Sequence, residues 1–501
     1  MRIDKFYKDS LILTLSNLVT GIIGFLFSVI ISRKLGAEGL GLYGIIMPVY
    51  GLLLCLTSEG LVTAISKISA VYFNKKDFRN LNKTVTTVFI MVFLWSLGVA
   101  LLTFLTSSGI SDFFIRDKRA ADAVKILCPA LIFVPLSAII KGYFYGLGKY
   151  RITASVDIVE KLLRVLILLG TIAVLSISDI KNMVSAAYFA LTAGEMTSLA
   201  ILYAFYRVYR NKHKVGGMKI KTRIQLMFDV LVISFPLNIN GFLSSIISTA
   251  TTLILPRRIV QAGFSYNEAL ALIGKFSGMA MNIVYLPFII VSSMLTVLIP
   301  DLSTSVNKKD AWAAEDRIAQ VLKISCLVGI STLAIAFTIP DLLGELLYGR
   351  PDLGGMIRFA SIAGFISYIS SPTFGILNGL GKQSILLRNS LLVAVEGLIL
   401  IFILTGIPLL NIYGYGISII ITSITALIMN LAEIRKYCEV KLELSDIVTI
   451  GLIGVLAFVF LQLINMLLTG AATVIRAVLI IPAGFLSVFV LTAMAKRVNS
   501  M

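Results

Sequence analysis

Charged side chains lie inside long apolar segments of this sequence, where ionisable residues are rare. Segment 152–176 contains two acids and two bases on one helical face, Asp157, Glu160, Lys161 and Arg164. A charge at the centre of a bilayer costs about 2.5–3.5 kcal/mol or more. Such residues therefore pair with one another or bind a ligand, and this spacing is equally compatible with both. The other embedded charged residues are Glu59, Lys141, Glu195, Lys275 and Glu396.

Lys275 differs from the others in its surroundings along the chain. No acid follows it within one helical turn, and Glu268 lies seven residues upstream. An unpaired cation within an apolar segment suits a water-filled cavity that receives an anion. We therefore predict that Lys275 binds an anionic substrate.

Proline and small polar residues interrupt three of the apolar segments, near Pro236, Pro287 and Pro372. Proline frees a backbone carbonyl, which a neighbouring Asn or Ser side chain can satisfy. In transporters such breaks form hinges and polar cavity walls, although a static packing kink explains them equally well. The predicted cavity-lining residues in these segments are Asn238, Asn240 and Asn282.

The composition predicts an all-α polytopic membrane protein. Of the 501 residues, 58% are hydrophobic and only 14% are charged, and the mean hydropathy is +0.95. No polar stretch is long enough for a soluble catalytic domain, and the apolar runs are too long and uniform for β-barrel strands. We predict about fourteen spans, near 11–31, 42–66, 85–106, 123–147, 152–176, 183–207, 227–252, 268–299, 318–339, 355–380, 384–406, 411–433, 446–468 and 471–494.

The basic residues predict the orientation of these spans. The net charge is +18, and an arrangement with both termini in the cytoplasm places 28 bases inside and 12 outside. The linker 206–223 carries seven of these bases and no acid. We expect it to contact anionic phospholipids of the cell membrane, and we expect no nucleic-acid binding because the sequence contains no soluble basic module.

The inventory of reactive residues argues against an enzyme. His213 is the only histidine, the four cysteines are far apart, and no metal-ligand or nucleotide motif is present. We therefore expect no catalytic residues, metal or cofactor, and transport would be driven by an ion gradient or by the membrane potential.

An internal repeat defines the predicted domains. The pattern GxxxGLGK occurs at 142–149 and 375–382, at the ends of the fourth and tenth predicted spans. Six crossings separate the copies, so they have the same orientation, and we predict two six-helix lobes as a parallel repeat plus two C-terminal helices. The predicted boundaries are 1–210, 211–225 for the basic linker, 226–440, and 441–501 for the additional helix pair.

Several motifs resemble those of a known family. The segments 17–24 (NLVTGIIG), 31–43 (ISRKLGAEGLGLY), 58–60 (SEG) and 299–303 (IPDLS), together with the GLGK repeat, are similar to the polysaccharide-flippase branch of the multidrug/oligosaccharidyl-lipid/polysaccharide (MOP) exporter superfamily, and most similar to its sporulation members. The resemblance covers essentially the whole chain. It implies two lobes in a V shape, alternating access around a central cavity, and a lipid-linked precursor of spore-cortex peptidoglycan as cargo.

The resemblance also bears on the site residues. Related lipid II flippases carry arginines in their first two spans and in the eighth, whereas span one here is uncharged between Leu11 and Ser32. We expect Lys275, Arg33 and Lys34 to replace those arginines in binding the pyrophosphate. The expected contributors are Lys141, Lys161 and Arg164, and the candidates for binding a coupling cation are Glu59, Glu195 and Glu396.

The resulting hypothesis is a monomeric flippase for a lipid-linked anionic glycan, with cell-wall synthases as further candidate partners. Two alternatives stay open. A multidrug cation antiporter would share the fold but would need an acidic cavity. A non-transporting scaffold for cell-wall synthases would have embedded charges that are paired and structural.

Overall fold

The computed structural model describes residues 5–177, 179–212, 221–307, 311–438 and 444–498. These residues form helices and short connections and contain no β-strand, which confirms the predicted all-α class. The helices of the first half are α1 Lys5–Ser58, α2 Leu61–Asn74, α3 Phe78–Gly109, α4 Ala120–Leu127, α5 Ala130–Gly146, α6 Tyr150–Leu175, α7 Ile180–Lys212 and α8 Arg223–Gln261.

The second half is built from ten further helices. They are α9 Tyr266–Ile273, α10 Met281–Tyr285, α11 Phe288–Asn307, α12 Ala311–Thr338, α13 Pro340–Tyr348, α14 Gly354–Gly379, α15 Gln383–Leu404, α16 Asn411–Ile434, α17 Leu444–Leu467 and α18 Thr473–Val498. A π-helical segment, Gly274–Ala280, joins α9 to α10, and a 3₁₀ turn, Pro351–Leu353, precedes α14.

The described residues contain eleven helical stretches that are long and apolar enough to cross a membrane, or twelve if one bent pair counts as a span. The predicted number of fourteen is therefore not confirmed. Two features explain the difference between twelve observed stretches and fourteen predicted spans. The first two predicted spans form one helical stretch, Thr14–Asn74, and α6 carries too many charges to be recognised by hydropathy alone. The chain is a multi-pass membrane protein.

Only one of the three predicted breaks bends the helix sharply. The axis turns by 62° between Tyr266–Tyr285 and Phe288–Leu295, at Pro287. In contrast, α8 and α14 are continuous across Pro236 and Pro372. A kink that the sequence did not predict lies in α1, where Gly36 has φ 68° and ψ −174°.

The chain divides into two compact units. The N-terminal unit comprises Met1–Phe27 and Leu42–Leu253, and the C-terminal unit comprises Ser28–Gly41 and Ile254–Met501. The middle of α1 therefore belongs to the C-terminal unit, although both of its ends belong to the N-terminal unit. The predicted division of the chain into four segments stays a prediction.

The two copies of the glycine repeat act in helix packing. In the N-terminal unit, a Cβ at Gly142 would lie 2.9 Å from the carbonyl oxygen of Val62, so α5 touches the backbone of α2 there. In the C-terminal unit, a Cβ at Gly375 would lie 2.9 Å from the Leu295 side chain of α11. Gly148 and Gly381, which follow α5 and α14, have φ of 67° and 73°. The left-handed conformation favours glycine and ends a helix.

A close backbone contact in the C-terminal unit joins the 28–41 segment of α1 to α9 and to the π-helical segment. A Cβ at Gly274 would overlap the carbonyl oxygen of Ala37, and one at Gly41 would overlap the carbonyl oxygen of Leu270. Small residues allow such backbone contact between membrane helices. This contact holds the 28–41 segment against α9.

We expect Gly274→Ala to lower the free energy of unfolding by about 1–3 kcal/mol, because the new methyl group meets rigid backbone. Thermal unfolding in detergent measures the effect. Gly24→Ala is the matched control, since a Cβ at that helical glycine would have no neighbour within 4 Å. Equal unfolding temperatures for the two variants would contradict the close contact.

Candidate functional site

Six embedded charges of the N-terminal unit lie on α5, α6 and α7, where they form ion pairs, and together they are called the charged cluster. Lys141 Nζ lies 2.6 Å from Asp157 Oδ1, and Lys161 Nζ lies 3.1 Å from Glu160 Oε2. Arg164 donates to Glu160 Oε1 from Nε at 2.9 Å and contacts Glu195 Oε1 from Nη2 at 3.1 Å. The sequence left pairing and ligand binding open for α6, and the structure shows that its charges are paired.

The cluster is charge-balanced and partly buried. Its members are three bases and three acids. Glu160 is only 4% exposed and Arg164 9%, so their charges have largely lost contact with solvent. A buried charge needs a partner because desolvation is expensive. The bases predicted to contribute to a pyrophosphate site, Lys141, Lys161 and Arg164, therefore also have a structural role.

Glu59, a predicted coupling-ion residue, lies at the turn between α1 and α2 of the same unit. Its side chain is exposed, and Cys55 Sγ lies 3.9 Å from its Oε2. The backbone of α8 passes close by, since a Cβ at Gly241 would lie 2.5 Å from Glu59 Cγ. Asn238 of α8 is half-buried, whereas the Asn240 side chain lies outside the described part of the chain.

In the C-terminal unit, Arg33 binds the end of a helix. Its Nε donates to the carbonyl oxygen of Leu347 at 2.6 Å, and its Nη2 donates to that of Leu346 at 2.5 Å. These carbonyls belong to the last turn of α13, where a cation also interacts favourably with the helix dipole. The adjacent Lys34 is exposed. Arg33 thus fastens α1 to α13, whereas Lys34 stays accessible.

Lys275 is paired, and the expectation of an unpaired cation is wrong. Its Nζ lies 2.7 Å from Oδ2 of Asp352, which also contacts Arg350 Nε at 3.2 Å. Asp352 is in the 3₁₀ turn before α14, far from Lys275 along the chain, and local spacing does not reveal it. Two bases share this one carboxylate, and its side chain is 45% exposed. This group of two bases and one acid therefore keeps an excess positive charge in contact with solvent.

Asn282 is also engaged in packing contacts. Its Nδ2 donates to Ser28 Oγ at 2.8 Å and to the Gly278 carbonyl oxygen at 2.6 Å. Asn282 therefore holds the 28–41 segment against the π-helical segment, in the same contact that involves Gly274.

Glu396 of α15 has one carboxylate oxygen without a hydrogen-bond partner. Its Oε1 accepts from Thr425 Oγ1 of α16 at 2.9 Å. Its Oε2 is buried and has no hydrogen-bond partner within the described part of the chain. An unsatisfied buried carboxylate oxygen is costly unless it binds a proton or a cation. The described residues contain no group of three or more His, Cys, Asp or Glu that could hold a metal ion.

A buried series of side-chain hydrogen bonds lies in the same unit and was not predicted. Asn389 Nδ2 donates to Asn430 Oδ1 at 2.9 Å, and Asn430 Nδ2 donates to Thr373 Oγ1 at 2.8 Å. All three residues are fully buried or nearly so. Hydrogen bonds between membrane helices stabilise their association, and this series of hydrogen bonds joins α14, α15 and α16. Single asparagines within apolar segments were its only signal in the sequence.

The model of the polysaccharide biosynthesis protein family matches residues 6–306, which is more than half of the chain. The chain belongs to this family. Membership confirms the resemblance to the polysaccharide-flippase branch of the MOP superfamily.

Two proteins from Bacillus subtilis (strain 168) are similar to this chain over most of their length. Stage V sporulation protein B is 24% identical over 444 residues, which cover 88% of this chain and 86% of the relative. The lipid II flippase MurJ is 21% identical over 454 residues, which cover 84% of this chain and 80% of the relative.

Solved structures of other proteins share the fold of this chain. The inward closed conformation of the lipid II flippase MurJ matches with a TM-score of 0.73 and 14% identity, over 97% of this chain and 99% of that structure. An inward-facing multidrug resistance MATE family transporter of the MOP superfamily matches with a TM-score of 0.66 and 15% identity, over 85% of this chain and 95% of that structure. The fold is therefore that of the MOP superfamily.

Proposed function

We propose that the protein is a flippase that moves a polyprenyl-pyrophosphate peptidoglycan precursor of the lipid II type across the cytoplasmic membrane by alternating access. One observation carries this proposal: the match to stage V sporulation protein B and to lipid II flippase MurJ extends over at least four fifths of each relative. The first relative is named as a sporulation protein, and we propose spore cortex synthesis as the process that uses the precursor. Transport breaks no bond, so the proposal needs no catalytic residue.

The cations of the C-terminal unit are the proposed ligands of the pyrophosphate. Lys34 is exposed, and the Lys275–Asp352–Arg350 group carries two bases for one acid. A pyrophosphate oxygen can join such a group because ammonium and guanidinium donors form strong hydrogen bonds with anionic oxygens. Arg33, Lys141, Lys161 and Arg164, which already have protein partners, and the polar residues Asn238, Asn240 and Asn282 complete the proposed substrate set.

We expect Lys275→Ala to slow flipping of lipid II about three- to tenfold, through loss of one charge-assisted hydrogen bond. Fluorescent lipid II in proteoliposomes gives the rate. Asp352→Asn is the matched control, since it breaks the same ion pair but leaves the lysine free, and flipping should persist. Equal slowing by both variants would show that the ion pair is only structural.

Glu396 is the proposed coupling residue, ahead of Glu59 and Glu195. Its Oε2 is buried without a hydrogen-bond partner among the described residues, whereas Glu195 is paired with Arg164 and Glu59 is exposed. A proton or a single cation bound there would link transport to an ion gradient. Both termini are proposed to be cytoplasmic, with the basic linker at anionic phospholipids.

Binding of the cargo tests this proposal. Native mass spectrometry of the purified chain with lipid II should show a one-to-one complex that the parent polyprenol, which lacks the pyrophosphate and the sugars, does not form. Tetraphenylphosphonium, an organic cation, is the comparison ligand for a multidrug antiporter. Binding of that cation with no binding of lipid II would overturn the flippase proposal, and binding of neither would favour the scaffold.

A further inference from the structure

A basic cavity opens where three helices of the N-terminal unit begin or end. Its volume is about 800 Å³, and it lies at the start of α3, the end of α7 and the start of α8. Five bases line it, Arg79 and Lys83 from α3, Arg207 and Arg210 from α7, and Arg223 from α8. No acidic residue lines it. The cavity belongs to this unit alone and is distinct from the charged cluster on α5, α6 and α7.

Helical spacing directs these bases into the cavity. Arg79 and Lys83 are four residues apart on α3, and Arg207 and Arg210 are three apart on α7, so each pair shares one face of its helix. Like charges at these spacings repel each other. An arrangement that brings five of them around one space is unfavourable unless an anion neutralises them.

The bases lack acidic partners, unlike the bases embedded within the unit. Within the part of the chain that the structure describes, none of the five forms an ion pair, and Lys83 donates only to the neutral carbonyl oxygen of Lys221 at 2.7 Å. The connecting sequence 213–220 contains no Asp or Glu. The arginines are exposed, so a ligand can reach them.

The walls of the cavity add polar groups for an oxygen-rich ligand. Asn82, Thr86 and Thr87 lie on the same face of α3 as the bases. The buried Asn82 Oδ1 has no hydrogen-bond partner in the described residues, so it is available to accept from a ligand hydroxyl. In addition, α8 begins at the cavity without an acid in its first turn, whereas the N-terminus of α3 is already capped by the Asp77 carboxylate. Helix N-termini favour anions such as phosphate.

We propose that this cavity binds the phosphate-bearing head group of an anionic membrane lipid. The helix ends that form it follow or precede apolar spans, which places it at the depth of lipid head groups. Its five positive charges favour a lipid with two phosphates over one with a single phosphate. Guanidinium groups suit this ligand because they bind phosphate oxygens in a bidentate manner. The proposal rests on the proposed contact of the linker 206–223 with anionic phospholipids, because Arg207, Arg210 and Arg223 belong to that linker, and it does not depend on which cargo the protein transports.

Lipid binding by the full-length chain tests the site. Native mass spectrometry in detergent compares cardiolipin, which has two phosphates, with phosphatidylglycerol, which has one, and with inorganic pyrophosphate as the soluble source of the same chemistry. We expect cardiolipin to bind most tightly. The double variant Arg79→Gln/Arg210→Gln should weaken its binding about tenfold or more, from the loss of two bases near the surface.

A matched variant separates a site from a general charge effect. Lys75→Gln/Lys76→Gln removes two exposed bases from the connection that precedes α3, and cardiolipin binding should change less than about twofold. Equal weakening by both double variants would overturn the cavity as a site. Binding of pyrophosphate as tight as that of cardiolipin would overturn the lipid as its ligand. Equal thermal unfolding temperatures verify that both variants are folded.

Discussion

Arg164→Ala is expected to lower the free energy of unfolding by about 3–5 kcal/mol, which is enough to reduce the yield of folded protein sharply. Arg164 is 9% exposed and contacts both Glu160 and Glu195. Its removal leaves two nearby carboxylates, one on α6 and one on α7, with one base fewer between them. Thermal unfolding in detergent measures the loss.

Two further variants test whether charge compensation is the reason. Lys161→Ala removes another partner of Glu160, but its side chain is 32% exposed, so the expected loss is below about 1 kcal/mol. Adding Glu195→Gln to Arg164→Ala should restore part of the stability because it removes one uncompensated charge. An Arg164→Ala protein that unfolds at the temperature of the unmodified protein would contradict this role.

Glu396→Gln is expected to reduce lipid II flipping more than about tenfold while the protein stays folded, since the loss of a required charge-assisted interaction exceeds about 1.4 kcal/mol. Glutamine keeps the size of the side chain and the acceptor for Thr425 Oγ1. It removes the charge and the proton-binding capacity of Oε2. Flipping rates in proteoliposomes with an imposed ion gradient measure the effect.

Glu433→Gln provides the control on a neighbouring helix. Glu433 is at the end of α16, paired with Arg388 and Lys436, two side chains that are more than half exposed. We expect flipping to stay near the normal rate in this variant. Normal flipping by Glu396→Gln under the same gradient would contradict its role in coupling.

The sequence predicts the helical architecture well because bilayer thickness imposes long apolar segments. The packing contacts of Gly142 and Gly375 and the left-handed glycines that follow are local features of the repeat as well. The sequence shows that Glu160 and Arg164 can pair, because residues four apart on a helix are neighbours. It does not decide between this pairing and the binding of a ligand.

Contacts between distant segments lie beyond such local patterns. Lys275 looked unpaired because Asp352 is on another element, and no local pattern shows that Arg33 donates to the carbonyl groups at the end of α13. The kink at Gly36 was missed because glycine is also common as a packing residue within membrane helices. The basic cavity arises only when the ends of α3, α7 and α8 come together.

Flipping of fluorescent lipid II by the unmodified protein in liposomes is the most direct test of the proposed function. A membrane-impermeant reductant bleaches only the outer leaflet of protein-free vesicles. With the protein present, we predict that the label of the inner leaflet is also lost, because lipid II reaches the outside. Protection of the inner leaflet, in vesicles shown to contain folded protein and tested with and without a membrane potential, would contradict the assignment as a lipid II flippase.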